Sequence, residues 1–157
     1  RRLLHIAGPK NSRDALERQK GFLQACRDHG LANRQITVYQ GDFHEPAGER
    51  CAEYLLKQGK MPDGIFAAND MMAIACMRVL QQNGVKIPDE VRMVGFDDIV
   101  LAAYVEPSLT TIRVPYEDLA RIATEELVKQ IENPVRKTIK VRLEAELVVR
   151  RSCGAKA

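Results

Sequence analysis

Short apolar runs alternate with longer amphipathic segments through residues 1–98 of the chain. Four of these runs predict β-strands, at residues 3–7, 36–39, 64–68 and 92–96. Three segments with apolar residues three and four positions apart predict helices, at residues 13–29, 46–58 and 70–83. Strands that alternate with helices of this length form parallel βαβ units, and continuously apolar strands are covered on both faces. The pattern therefore predicts an α/β fold with a doubly wound parallel sheet.

The pattern changes after Asp98. Residues 99–108 show no regular periodicity, and residues 109–114 form an extended, threonine-containing stretch. Residues 116–131 have the apolar face of an amphipathic helix, which residues 133–134 (Asn-Pro) end. In the tail, apolar residues alternate with mostly charged ones, which predicts half-exposed strands. The alternating apolar positions are Ile139, Val141, Leu143, Ala145, Leu147 and Val149.

Composition and charge narrow the class of protein. The chain has 157 residues, of which 45% are hydrophobic and 29% charged, and this fits one ordinary globular domain. Its net charge of +3 is too small to predict nucleic-acid binding by this chain itself. No run approaches the roughly 18 consecutive apolar residues of a membrane span, so we expect no membrane partner. The chain opens with neither methionine nor a secretory signal, and we expect it to be a piece of a longer protein.

The cysteines and the lack of catalytic motifs favour a binding protein. Cys26, Cys51 and Cys76 fall on the apolar sides of predicted helices, and no cysteine pair has CxxC spacing. We therefore expect buried free thiols, no metal site and a cytoplasmic location. The sequence contains no GxSxG, GxGxxG or phosphate-loop motif, and none of its histidines stands beside a nucleophile in such a context. These features predict a protein that is not an enzyme and needs no cofactor.

Polar residues at the ends of two predicted strands are the first candidate ligand-binding groups. Asn69 follows the third strand and Asp97 follows the fourth. In an α/β protein the carboxyl ends of parallel strands open onto the ligand crevice, and amide and carboxylate groups there can hydrogen-bond a small polar ligand. Structural roles stay open for both residues. Asn69 or Asp70 must cap the next helix, and Asp97-Asp98 can be a simple turn.

Arg18 and Phe43 are further candidates on neighbouring elements. Arg18 lies at the edge of the apolar stripe of the first helix. Its head can extend into water, which spacing alone favours, or face the strand ends and grip a ligand oxygen. Phe43 follows the second strand and can either stack on a ligand or anchor its own loop.

The third predicted helix is unusual because residues 71–80, MMAIACMRVL, are apolar nearly all round. Arg78 is the only charge in this segment. A helix of this kind must be covered on more than one side. A partner subunit is the simplest cover for its second side, and another part of the same chain is the alternative.

Several short stretches resemble, in order, the effector-binding core of the LacI/GalR family of bacterial transcription repressors. They are IAGP at 6–9, RQKGF at 18–22, GDF at 41–43, ANDMMA at 68–73, VKIP at 85–88, VGFDD at 94–98, PSLTTI at 107–112 and LVVRRS at 147–152. The resemblance covers essentially the whole chain, and the ordered set is specific although each stretch alone is weak.

The resemblance implies a type I periplasmic-binding-protein-like fold, in which two α/β lobes enclose an effector. Residues 1–98 would form the C-terminal lobe, and residues 99–134 a crossover whose helix normally belongs to the N-terminal lobe. Residues 135–157 would form the return strands and tail. By this resemblance, the chain would lack the helix-turn-helix that reads DNA and most of the N-terminal lobe. We therefore expect half an effector site, of reduced affinity, and a 116–131 helix that is loosely held, repacked or shared with a neighbouring chain.

The resemblance also implies roles for individual residues. The implied effector-binding residues are Arg18, Phe43, Asn69, Asp97, Asn11 and Ser12. Among them Arg18 resembles the effector-gripping arginine and Asp97 the acidic hydrogen-bond acceptor. The residues implied in a homodimer interface are Ala73, Cys76, Met77, Leu80, Leu101 and Tyr104.

The predicted function is that of the effector-binding domain of a dimeric repressor. The small-molecule effector would be a sugar, a sugar phosphate or a purine, and DNA would be contacted only through the missing helix-turn-helix. A periplasmic sugar-binding protein of a transport system shares the fold and is the first alternative, against which the apolar 71–80 helix and the free cysteines argue. An enzyme on a doubly wound sheet is the second alternative, because fold alone does not exclude it.

Overall fold

A computed structural model describes residues 1–135, 137 and 139–155. Four short strands form a parallel sheet in the order β2-β1-β3-β4. They are β1 (Leu3–Ala7), β2 (Ile36–Gln40), β3 (Gly64–Ala67) and β4 (Arg92–Val94). β1 lies in the middle, with Ile6 opposite Tyr39 on one side and opposite Ala67 on the other. The predicted α/β class with a parallel sheet is confirmed.

Three long helices connect these strands and pack on both faces of the sheet. They are α1 (Arg13–Asp28), α2 (Glu45–Gln58) and α3 (Asp70–Gln82). Successive side chains of a strand point to opposite faces, and those of β1 meet different helices. Leu4 and Ile6 belong to the apolar core with residues of α2 and α3, whereas His5 stacks on Phe22 of α1. α1 therefore lies on one face, and α2 and α3 lie on the other.

α3 is covered by its own chain on the sides that carry most of its apolar residues. Ala73, Cys76, Met77 and Leu80 are at most 2% exposed and belong to the main core. α2 and the sheet bury these four side chains within the single chain, and their predicted contact with a partner subunit stays a prediction. Much of the cover that this apolar helix needs is therefore supplied by its own chain.

The cysteines are free thiols, as predicted. Cys26, Cys51 and Cys76 are buried, and Cys153 is partly exposed. A hydrogen bond with Cys51, together with burial, raises the pKa of the Cys76 thiol well above its ordinary value. A thiol held protonated in this way behaves as a small apolar side chain.

The chain after β4 forms a short helix and a separate two-stranded ribbon. Residues 99–108, predicted to be irregular, contain the helix α4 (Val100–Tyr104). β5 (Thr111–Arg113) then pairs antiparallel with β6 (Glu146–Val148), and we call this pair the β5–β6 ribbon. Among the described tail residues, only β6 is a strand, so the predicted alternation over 139–149 forms less sheet than expected.

The helix between the two ribbon strands, α5 (Tyr116–Glu132), lies outside the main core. It contains no buried residue, and Leu127 and Ile131 are 61% and 70% exposed. Its apolar face borders a cavity of about 440 Å³ together with Ile139, Val141 and Leu143 of the tail. The apolar face of the helix therefore meets tail residues across this cavity, and how the full-length protein accommodates the helix stays a prediction.

His5 is a fully buried titratable group in the middle of the sheet. Its ring stacks between Phe22 and Phe66, with centroid distances of 5.2 and 5.1 Å. Nδ1 lies 2.9 Å from the Phe66 carbonyl oxygen, which can only accept, so Nδ1 donates. Nε2 has no hydrogen-bond partner among the described residues. Burial lowers the pKa of His5, although the bond to Phe66 acts in the opposite direction.

The free energy of unfolding is expected to fall on acidification because His5 must be neutral in the folded chain. Its pKa is lower folded than unfolded, so the unfolded chain binds more protons below about pH 6.5. The contribution of neutral His5 to the free energy of unfolding is fully present above about pH 6.5 and is lost as the pH falls below it. Urea unfolding of wild type and His5→Leu at pH 5 and pH 7.5 measures the effect. We expect the free energy of unfolding to change less between the two pH values in the variant than in wild type. Equal changes in the two proteins would contradict the assignment.

Candidate functional site

Arg18 and Asp97 come together at the carboxyl edge of the sheet. Arg18 lies on α1, Asp97 follows β4, and Nη2 of the arginine is 3.6 Å from Oδ1 of the aspartate. Their side chains are only 17% and 22% exposed, so water screens the pair less than it screens a surface ion pair. Both groups still reach solvent, which leaves polar atoms accessible to a ligand.

The Arg18 guanidinium is held by more than its ion pair. Nη1 donates to the carbonyl oxygen of Ala68, at the end of β3. The group also lies over the Phe96 ring, with Cζ 3.8 Å from the ring centroid. This is a cation–π contact. The alternative that spacing favoured, an arginine with its head in water, does not describe this side chain.

Asp97 sits in strained backbone. Its φ of +111° lies in a region that non-glycine residues rarely adopt, and such strain is concentrated at functional sites. The backbone N–H donates to Ile112 at 2.8 Å, which fixes the turn. Its carboxylate also accepts from the Tyr116 hydroxyl at 3.1 Å. Burial raises the pKa of Asp97, against the smaller lowering effects of the Arg18 charge and the Tyr116 bond.

Phe43 is a second aromatic neighbour of Arg18 and also has strained backbone. Its φ is +73°, and its ring centroid is 5.6 Å from Cζ of Arg18. The ring also packs so closely on Gly8 that a Cβ there would lie 2.4 Å from it. Phe43 therefore anchors its loop and faces the site at the same time, so the two alternatives stated for it are compatible.

The hydrogen bonds of the Asn69 side chain mainly stabilise the local fold. Its Oδ1 accepts from the Met72 N–H at 3.0 Å and caps α3, while its Nδ2 donates to the Phe43 carbonyl at 2.8 Å. The side chain thus fixes the Phe43 loop and keeps one amide hydrogen for a ligand. Direct effector contact by Asn69 stays a prediction.

Asn11 and Ser12 lie in the loop that joins β1 to α1 at the same edge. Ser12 caps α1, because its hydroxyl accepts from the Ala15 N–H at 3.3 Å. Asn11 is exposed. The structure gives neither residue a contact with Arg18 or Asp97, and their role in effector binding stays a prediction.

Two residues at the site were not predicted as ligand-binding groups. Tyr116 is the first residue of α5, and it reaches Asp97 because the β5–β6 ribbon runs alongside the turn after β4. Phe96 supplies the aromatic face under Arg18. No spacing rule links Tyr116 to a residue 19 positions earlier, whereas Phe96 directly precedes the candidate Asp97 and could have been included.

Asp70 is a buried acid next to the site that links the surrounding elements through hydrogen bonds. It is fully buried, and its carboxylate accepts from the Thr111 hydroxyl at 2.6 Å and from the Ile99 N–H at 3.0 Å. Burial raises the pKa of Asp70 to about 6, against the lowering effect of these hydrogen bonds. The helix cap is Asn69, so Asp70 instead ties the start of α3 to β5 and to the loop before α4.

Neither a cluster of potential metal ligands nor a membrane-spanning helix occurs in the described part of the chain. No three of their His, Cys, Asp and Glu side chains are grouped so that they could hold a metal ion. Within the same residues, no helix is long and apolar enough to cross a membrane.

Comparison with known proteins identifies the family. The model of a family described as "periplasmic binding protein-like domain" matches residues 1–153 of this chain. This chain belongs to the periplasmic binding protein-like domain family. The domain is 36% identical over 148 residues to the ribose operon repressor of Halalkalibacterium halodurans. That match covers 94% of this chain and 44% of the repressor, so the domain spans less than half the length of that relative.

Solved structures of regulators have the same fold as this periplasmic binding protein-like domain. A LacI-family transcriptional regulator from Burkhoderia phymatum superimposes with a TM-score of 0.87 at 30% identity, covering 98% of this chain and 56% of that one. A complex of the transcriptional regulator CelR with cellobiose gives a TM-score of 0.87 at 32% identity, covering 97% and 46%. The resemblance to LacI-type repressors predicted from the sequence is confirmed.

Proposed function

We propose that this domain is the effector-binding part of a LacI-type transcriptional repressor and that it binds a sugar or a similar polar small molecule. The pairing of Arg18 with Asp97 at the carboxyl edge of the sheet carries the proposal. A guanidinium and a carboxylate side by side offer donors and acceptors that suit adjacent hydroxyl groups. The neighbouring Phe96 and Phe43 rings offer apolar faces to the carbon side of a sugar ring.

The relatives support binding and regulation in preference to catalysis or transport. One is named a ribose operon repressor, and one regulator was solved as its cellobiose complex. We propose that residues 1–98 form one lobe of the effector site, and that residues 99–134 cross towards a second lobe encoded elsewhere in the full-length protein. The tail, residues 135–157, would return to the first lobe. DNA contact would belong to a separate domain of that protein, acting in the cytoplasm.

We further propose that two copies associate through the outer side of α3 and through α4. Leu101 and Tyr104 of α4 are 47% and 80% exposed. A cavity of about 250 Å³ is lined by residues of α2, α3 and α4, among them Ile74, Arg78 and Leu101, so the three helices meet at one surface. Ile74 and Arg78 lie at this surface and join the predicted residues of α3, Ala73, Cys76, Met77 and Leu80, as proposed contacts. The burial of exposed apolar side chains would stabilise such a homodimer.

Effector and DNA measurements on the full-length protein test the proposed function. We expect ribose or cellobiose to raise the melting temperature and to change the affinity for operator DNA, since two ligands of one protein are coupled reciprocally. Light scattering is expected to show a dimer. A monomer that binds sugar but no DNA would instead support a transport receptor, and turnover of the sugar would support an enzyme.

A further inference from the structure

Asp98, the neighbour of the proposed effector acceptor, holds two arginines at once. Its carboxylate lies 2.6 Å from Nε of Arg113 and 2.6 Å from Nη2 of Arg150, and only 8% of the side chain is exposed. Burial alone would raise the pKa of Asp98, but the hydrogen bonds and charges of Arg150 and Arg113 outweigh it and lower this pKa. Charge-assisted bonds of this length are among the strong polar contacts of a protein.

These two arginines lie on either side of the segment that leaves through β5 and returns through β6. Arg113 ends β5, from which the chain continues into α5, and Arg150 follows β6, by which the chain returns. Because α5 contains no buried residue, the β5–β6 ribbon and the Tyr116–Asp97 hydrogen bond attach this segment to the rest of the described structure. Through Arg113 and Arg150, Asp98 thus connects both sides of the β5–β6 ribbon to the turn that follows β4.

The same turn carries Asp97, and its two aspartates face different partners. Asp97 and Asp98 have φ values of +111° and +51°, so the backbone of both is in the left-handed half of conformational space. Asp97 donates its N–H to Ile112, and Asp98 donates its N–H to the Thr111 hydroxyl at 3.3 Å. Three residues beyond Arg113, Tyr116 places its hydroxyl on Asp97.

We propose that Asp98 is a positioning residue of the effector site. By holding Arg113 and Arg150 it fixes the β5–β6 ribbon, and through the ribbon it keeps the Tyr116 hydroxyl on Asp97. Ligand binding at Asp97 and the orientation of the α5 segment then depend on one another through one strained turn. The importance of this coupling for regulation rests on the proposed function.

Substitution of Asp98 by asparagine tests the proposal in the chain itself. Asparagine has nearly the same shape and tolerates positive φ, but it lacks the charge that pairs with the arginines. We expect hydrogen-exchange protection of the Gly95 and Asp97 amides, which donate to Thr110 and Ile112, to fall about tenfold while β1 and β3 amides keep theirs. The Tyr116 pKa, raised by burial and by the Asp97 charge, should move towards its ordinary value when the contact loosens.

Glu146→Gln is the matched control, because Glu146 is the outer, 68% exposed partner of the same Arg113. We expect it to change neither measurement. Arg113→Gln removes one arm of the Asp98 contact and should give an intermediate loss, which keeps the proposal testable if Asp98→Asn fails to fold. Unchanged Tyr116 titration, or equal loss of protection in β1 and at Asp97, would overturn the proposal. Neither measurement uses an effector, so that failure would leave the proposed function standing.

Discussion

Gly48→Ala is expected to lower the free energy of unfolding by about 3 kcal/mol, the upper part of the range for overpacked cores. A Cβ at this position would lie 2.2 Å from the Met72 carbonyl oxygen and 2.9 Å from its Cα. These are backbone atoms of α3, so no side-chain rotation can relieve the clash and the two helices must move apart. Urea unfolding followed by circular dichroism measures the change.

Gly21→Ala is the matched control within another helix. Gly21 lies inside α1, and apart from its chain neighbours and the nearby backbone of its own helix no atom lies within 4 Å of the position its Cβ would take. Alanine there should stabilise the protein by about 0.5–1 kcal/mol, because glycine loses more chain entropy on folding. If Gly48→Ala unfolded within about 0.5 kcal/mol of wild type, as surface substitutions do, the close packing of α2 on α3 would be wrong.

The strands and long helices were predictable because hydrophobic periodicity reports burial directly. β1 agrees with its predicted bounds, and α3 differs by a single residue at its end. β4 stops at Val94, two residues early, because the turn through Asp97 takes the chain out of the sheet. α4 has only five residues, too few to show a helical period, and so it was missed.

The tail shows where periodicity overestimates structure. Alternating apolar residues over 139–149 are compatible with strands, but strands need partners for their backbone groups. Among the described residues, β5 offers a partner to Glu146–Val148 only. In the same way, the apolar sequence of α3 predicted that the helix is covered on several sides but could not specify which chain covers it.

The candidate site was predictable at strand ends and much less so elsewhere. Asn69 and Asp97 follow from the rule that ligands bind at the carboxyl ends of parallel strands. Arg18 needed the family resemblance, since its spacing alone favours a surface arginine and only the Ala68 carbonyl and the Phe96 ring fix its direction. Tyr116 depends on the pairing of the β5–β6 ribbon with the turn at Asp97, a tertiary contact with no local signal.

Asp97→Asn in the full-length protein is expected to weaken effector binding about 100-fold, a loss of about 2.7 kcal/mol. The substitution removes the charged acceptor and leaves the partly buried Arg18 without its anion. Arg18 keeps its bond to Ala68 and its contact with Phe96, so the fold and the basal operator affinity should persist. Calorimetry with whichever of ribose and cellobiose stabilises the wild type measures the loss, and a gel-shift assay measures operator binding.

Asp28→Asn provides the control for the Asp97 substitution. Asp28 is an exposed acid at the far end of α1 that accepts only from Gln24 among the described residues, a bond that an asparagine oxygen can also accept. It changes the net charge by the same amount, so any loss due to overall charge alone would appear in both variants. Undiminished sugar binding by Asp97→Asn would remove Asp97 from the site, and because Arg18 is assigned through that pair, the carboxyl-edge site would then have to be abandoned.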